Sequence, residues 1–197
     1  VSAPEPTHPL AAHATWGRHG AAGEAPLRVS LPLRDIVQVM ARRGREDALA
    51  ETARSTFGLG LPTAGRAAPG QAVTAIWIQP GHWLLIAPRG EEGALVARAA
   101  SAFAGLAAVA DQTHGRATIA VAGPAARGVL ARGCRLDLHP RAFGPGRTAT
   151  THIAQVGCLI HQTHEAPVFE LTVPATLAEP FFHWLTEAGA QDGVLVG

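Results

Sequence analysis

The sequence contains no lysine and no tyrosine, and its basic residues other than histidine are all arginine. Without lysine there is no Schiff-base nucleophile and no phosphate-gripping lysine of a Walker-type loop, and without tyrosine there is no Tyr/Lys proton relay. Charged residues make up only 16% of the chain, the formal net charge is +1, and the arginines are spread rather than gathered into a run. That pattern leaves no electrostatic footprint for a nucleic-acid partner. No stretch reaches the roughly 20 apolar residues that cross a bilayer, and the opening Val1-Ser2-Ala3-Pro4-Glu5-Pro6 lacks a charged start followed by an apolar segment. The expectation is a cytoplasmic protein with no membrane partner. The two cysteines, Cys134 and Cys158, are read as buried free thiols, since 197 residues supply a core that needs no staple.

What the chain has in quantity is small and apolar: 47% hydrophobic residues, 22 Gly and 15 Pro. These suit a compact domain with a weakly charged surface that a partner could cover. Residues 1–26, rich in Pro, Ala, Gly and His, show no sustained periodicity and are expected to form a flexible leader that adds little to the core. Residues 27–197 are expected to form a single domain built from two similar halves, about 27–107 and 108–197.

Each half reads as the same succession of elements. In the first, Ile36-Val37-Gln38-Val39-Met40 is a buried strand, and Leu49, Thr52, Ala53, Thr56 and Phe57 recur at helical spacing before Gly58, where a C-terminal cap belongs. Residues 72–78 and 82–87 flank Gln79-Pro80-Gly81 and predict a hairpin bearing Trp77 and Trp83; a helix then carries Leu95, Ala99, Ala102 and Phe103. In the second half, Thr118-Ile119-Ala120-Val121 is a strand and Gly123-Pro124 opens a short helix through Leu130. A hairpin from about 150–161 to 168–173 follows, and the last helix places Leu177, Phe181, Trp184, Leu185 and Ala188 along one stripe. Two successive β-α-β-β-α units imply an α+β fold with antiparallel sheets packed against helices.

Candidate chemistry is sparse. His161-Gln162-Thr163-His164, with Asp137, His139 and His152, offers metal-ligating side chains, but a hairpin tip would turn the two imidazoles outward or to opposite sides. His8, His13 and His19 fall in the leader. Cys134 and Ser101 lack a nucleophile-elbow sequence, and Ser101 lies inside a predicted helix. Asp111-Gln112-Thr113-His114-Gly115 reads first as a turn closed by its own side chains and second as a ligand-binding loop. Neither Gly58-Leu59-Gly60 nor Gly144-Pro145-Gly146-Arg147 has the strand-to-helix setting of a dinucleotide loop. Phe181, Trp184 and Leu185 read as core or interface before cofactor wall. No catalytic, cofactor-binding or metal-binding residue is assigned.

Several segments together resemble the gamma subunit family of heterotetrameric sarcosine oxidase. They are Asp111-Gln112-Thr113-His114-Gly115-Arg116, Ala122-Gly123-Pro124-Ala125-Ala126-Arg127, Leu130-Ala131-Arg132-Gly133-Cys134, and Leu136-Asp137-Leu138-His139-Pro140-Arg141-Ala142-Phe143 followed by Pro145-Gly146. Phe57-Gly58-Leu59, Leu61-Pro62, the Trp77 to Trp83 hairpin and Phe181-Phe182-His183-Trp184-Leu185 stand in the same order as in that family. The resemblance implies a fold similar to the folate-binding domain of aminomethyltransferases. It also implies a non-catalytic structural subunit of a complex that demethylates sarcosine to glycine, yielding peroxide and either formaldehyde or methylenetetrahydrofolate. FAD, FMN, NAD and zinc would then sit in partner subunits, chiefly the large alpha subunit. Two other classes compete: a stand-alone folate-binding protein of one-carbon metabolism, and, ranked last, a small hydrolase or metal enzyme using the histidines.

Overall fold

The computed structural model describes residues 7–22 and 25–197; residues 1–6 and 23–24 of the stretch read as a leader lie outside the described residues. In chain order the first elements are β1 (Gly17–His19), β2 (Leu27–Ser30), β3 (Arg34–Ala41), α1 (Glu46–Phe57), β4 (Ala67–Pro69), β5 (Thr74–Gln79), β6 (His82–Pro88), α2 (Ala94–Ala102) and β7 (Ala107–Asp111). There follow β8 (Arg116–Ala122), α3 (Ala126–Ala131), β9 (Thr148–Ile153), β10 (Val156–His164), β11 (Val168–Pro174), a 3-10 turn (Ala175–Leu177), α4 (Ala178–Gly189) and β12 (Val194–Val196). The expected α+β succession is present twice, as β3-α1-β5-β6-α2 and β8-α3-β10-β11-α4, with short strands added around it. Two compact units result. Arg34–His114 with Gly146–Ala149 form one; Gly115–Pro145, Thr150–Gly197 and the described part of Val1–Leu33 form the other.

The Arg34–His114 unit is an antiparallel five-stranded sheet in the order β4-β5-β6-β3-β7. Alternation along the strands puts Val37 and Val39, Trp83 and Leu85, and Ala75 on one face. They share a buried cluster with Leu49, Ala53 and Phe57 of α1, Leu95 and Ala99 of α2, and Phe103 just beyond it. The Phe57 and Phe103 rings stand 5.6 Å apart, and burying an aromatic of this size contributes about 2–3 kcal/mol. α1 stops at Gly58, whose φ of 65° lets its N–H reach Arg54 O. Pro80 and Gly81 turn the β5–β6 hairpin and set Trp77 opposite Trp83, and the Trp83 indole donates to Pro62 O at 2.9 Å.

The second unit holds a seven-stranded sheet in the order β1-β12-β2-β8-β11-β10-β9, antiparallel at the pairs β1–β12, β2–β8, β8–β11 and β10–β11 and parallel between β12 and β2. Leu27 and Val29, Ile119 and Val121, and Phe169, Leu171 and Val173 alternate onto one buried face. Gly189 lets α4 lie against it: a Cβ there would come 2.6 Å from Val194 Cγ2 and 3.4 Å from Leu27 Cδ2.

Three sequence expectations need correction in this unit. Residues 150–161 are not one strand but the end of β9, a turn, and the start of β10; Ala154 and Gln155 take φ values of 49° and 65°, a left-handed pair that ordinarily demands Gly or Asn. The α4 stripe is rotated from the expected one, with Ala178, Phe181, Phe182, Leu185 and Gly189 buried. Leu177, in the preceding turn, is 41% exposed. Finally, the stretch expected to add little to the core buries Leu10 completely and pairs β1 with β12.

Candidate functional site

Two of the segments that carry the family resemblance, 122–127 and 136–143, are joined through one arginine. Arg127, in the first turn of α3, points its guanidinium at the loop that leads to β9. Nη1 donates to Leu138 O and, at 3.0 Å, to Phe143 O, while Nη2 donates to Gln162 Oε1 at 2.9 Å. Its guanidinium carbon lies 5.2 Å from the centroid of the Phe169 ring. Gln162 is fully buried, and its amide donates onward to His164 O at 2.9 Å. A planar fork with several fixed donors satisfies separate carbonyls at once, which a lysine ammonium does less well. Arg132 acts similarly at the end of α4, donating to Ala188 O and pairing with Asp192 at 2.9 Å. Gly133 is required beside it, because a Cβ there would lie 2.4 Å from the Trp184 ring. These groups spend their hydrogen-bonding capacity on the protein's own backbone and on neighbouring side chains.

The histidines are arranged differently from the hairpin-tip expectation. His161 lies within β10 opposite Glu170, half-buried, and burial pushes its imidazole below the ordinary pKa while Glu170 pulls the other way. Residues three apart in a regular strand face opposite sides, but the register shifts between Gln162 and His164. That β-bulge puts His164, opposite Val168, on the face of His161 and Glu170. His164 is exposed and bonded at 2.8 Å to the Thr163 hydroxyl. His139 sits in a turn closed by Asp137, whose carboxylate accepts the His139 N–H at 2.9 Å. His152 is exposed on β9. Among the described residues no group of three His, Cys, Asp or Glu side chains is placed to hold a metal ion.

Two concavities lie in this unit. One, of about 440 Å³, runs between the segment before β1 and α4, with His13, His19, Glu179, Phe182 and His183 on its walls. His13 approaches Glu179 at 3.4 Å and His183 approaches Glu187 at 3.1 Å, both pairs open to solvent. The other, of about 370 Å³, is floored by Ala120 and Ala122 on the sheet face away from the helices, with Arg28 and Ser30 beside it. Among the described residues, neither shows a hydroxyl or thiol hydrogen-bonded to an imidazole or carboxylate. Cys134 and Cys158 are both free and buried, and burial drives the Cys158 thiol far above its usual range, so it stays protonated and inert.

In the Arg34–His114 unit, Asp111-Gln112-Thr113-His114-Gly115 is a turn, as its first reading held. Asp111 Oδ1 accepts the Thr113 N–H at 2.9 Å and the Thr113 hydroxyl accepts the Ile36 N–H at 3.0 Å, tying the end of β7 to β3. A buried ion pair nearby has no counterpart among the sequence motifs. Asp35 takes Arg89 at 3.2 Å and the Gly90 N–H at 2.9 Å, and both side chains are almost wholly covered. Ser101 is exposed on α2, with no base hydrogen-bonded to it among the described residues.

Residues 43–191 match the model of the sarcosine oxidase, gamma subunit family. The chain is 34% identical over 137 residues to a sarcosine oxidase subunit gamma from Corynebacterium sp. (strain P-1) and 36% identical over 140 residues to one from Arthrobacter sp.. Each alignment covers 68% of this chain and 66% of the relative, so it spans just under two thirds of those proteins. A chain of the heterotetrameric sarcosine oxidase from Corynebacterium sp. U-96, solved in complex with pyrrole 2-carboxylate, superposes with a TM-score of 0.81 at 28% identity. That match covers 95% of this chain and 96% of the other. Aminomethyltransferase T of the glycine cleavage system from Bartonella henselae shares the fold, with a TM-score of 0.65 at 16% identity over 87% of this chain and 48% of that one. With the matched region spanning the Arg127 network, the Asp111 turn and most of both units, the chain belongs to the sarcosine oxidase gamma subunit family.

Proposed function

We propose that this chain is a structural subunit of a heterotetrameric sarcosine oxidase and supplies no catalytic residue to it. The complex would oxidatively demethylate sarcosine to glycine, with FAD, FMN, NAD and zinc held by partner subunits, chiefly the large one. The observation that carries this reading is the superposition, along almost the full length of both chains, on a component of such a heterotetramer. The polar chemistry supports it: Arg127, Arg132, Gln162, Asp111 and Asp35 are each engaged by the chain's own backbone or by one another. A side chain so engaged is an organiser of the fold rather than a group free to move a proton in a reaction. Co-expression with the large subunit of a heterotetrameric sarcosine oxidase, followed by affinity capture on this chain, tests the assembly. The expected result is a stoichiometric complex carrying flavin. Capture of this chain alone, with the large subunit present and folded, would refute it.

A further inference from the structure

The segment before β1 is held to its unit by an imidazole that works in only one protonation state. His8 Nε2 lies 2.9 Å from Thr118 O, and His8 Nδ1 accepts the Leu10 N–H at 3.1 Å. A carbonyl on one nitrogen and an N–H on the other fix the neutral tautomer with its proton on Nε2, since a proton on Nδ1 would face the Leu10 donor. The strand pairing explains why Thr118 O is available: β2 pairs with β8 only as far as Ser30 opposite Ala120. Two residues further on, Pro32 has no N–H to offer. His8 therefore completes the strand edge, and the turn it starts buries Leu10 completely and leads to Trp16, 55% exposed.

We propose that residues 7–19 form a pH-sensitive strap, seated on the second unit while His8 is neutral and released when it takes up a proton. The titratable and charged groups around it are few. On β8, Arg116 stands two residues before Thr118 on the same strand face and is itself partly desolvated. Within the strap, His19 Nε2 lies 2.6 Å from Thr15 O, a contact its protonated form keeps. On α4, Glu179 faces His13 at 3.4 Å; protonating His13 tightens that contact, but both groups are solvated and the effect is screened. The sign follows from His8. Burial lowers its pKa in the seated state below the ordinary 6.5, so the released state binds more protons. Seating is at full strength above about pH 6.5 and weakens by up to about tenfold for each pH unit below it, until the lowered seated pKa is passed.

Hydrogen exchange of the full chain, corrected for intrinsic rates and compared between pH 7.5 and pH 5, reads the seating directly. Protection of residues 10–19 is expected to fall at least tenfold more than that of β8 and β11. His8→Asn and His8→Gln should lower protection at both pH values and remove its pH dependence, whereas His13→Asn should leave that dependence in place. Nitrogen chemical shifts of the His8 ring should report the Nε2–H tautomer at pH 7 and a titration below 6.5. Unchanged strap protection at pH 5, pH dependence that survives both His8 substitutions, or a His8 that titrates at or above 6.5 would each overturn the proposal.

Discussion

The two units use the same succession of elements but are held by different means. The Arg34–His114 unit closes around contiguous apolar packing, Phe57 and Phe103 beneath Val37, Val39 and Leu85. The other unit also has an apolar face, and its long loop between α3 and β9, which buries Leu138 and Phe143, is tied down in addition by the Arg127 fork and the buried Gln162 amide. Apolar packing tolerates gradual change, because each contact is weak and non-directional, whereas a buried polar tie fails when one donor is lost.

Substitutions on each side sharpen that contrast. Phe103→Ala should cost the most, about 3–5 kcal/mol in urea unfolding, by opening a cavity under α1 and α2. Arg127→Met should cost about 3 kcal/mol, because it strands Gln162 Oε1 and the Leu138 and Phe143 carbonyls. Proteolysis within residues 135–147 should accelerate in that variant and not in Phe103→Ala at matched stability. If Arg127→Met unfolds like the parent chain, the contrast between the units is wrong. Gly133→Ala should cost about 1–3 kcal/mol, since the Trp184 ring must move, and should shift tryptophan emission. Replacing Ala154-Gln155 by Asn-Gly should stabilise the chain by about 1 kcal/mol, raising the unfolding midpoint, because both positions have positive φ.

Much of the fold was legible where the deciding chemistry is local. Gly58 after Phe57, and Pro80-Gly81 between two apolar runs, state a helix end and a hairpin within a few residues, and both are present. The β9–β10 turn was illegible because Ala154 and Gln155 accept a left-handed backbone without the residues that advertise one. The bulge that turns His164 to the side of His161 leaves no mark in His161-Gln162-Thr163-His164 itself. The seating of the segment that buries Leu10 involves a hydrogen bond from His8 to Thr118, 110 residues away, and contacts at that separation have no periodic signature. The family segments are visible as a pattern, but the role of Arg127 in tying the 136–143 segment to β10 emerges only once Leu138, Phe143 and Gln162 are brought around it.

The claim that this chain organises and does not catalyse is tested most directly by sarcosine turnover in the purified assembly with His139, His161 and His164 changed to Gln and Cys134 and Ser101 to Ala. Retention of kcat within about twofold, with flavin content and subunit stoichiometry unchanged, is the predicted result. A loss of a hundredfold or more in an intact, flavin-loaded assembly would contradict the account.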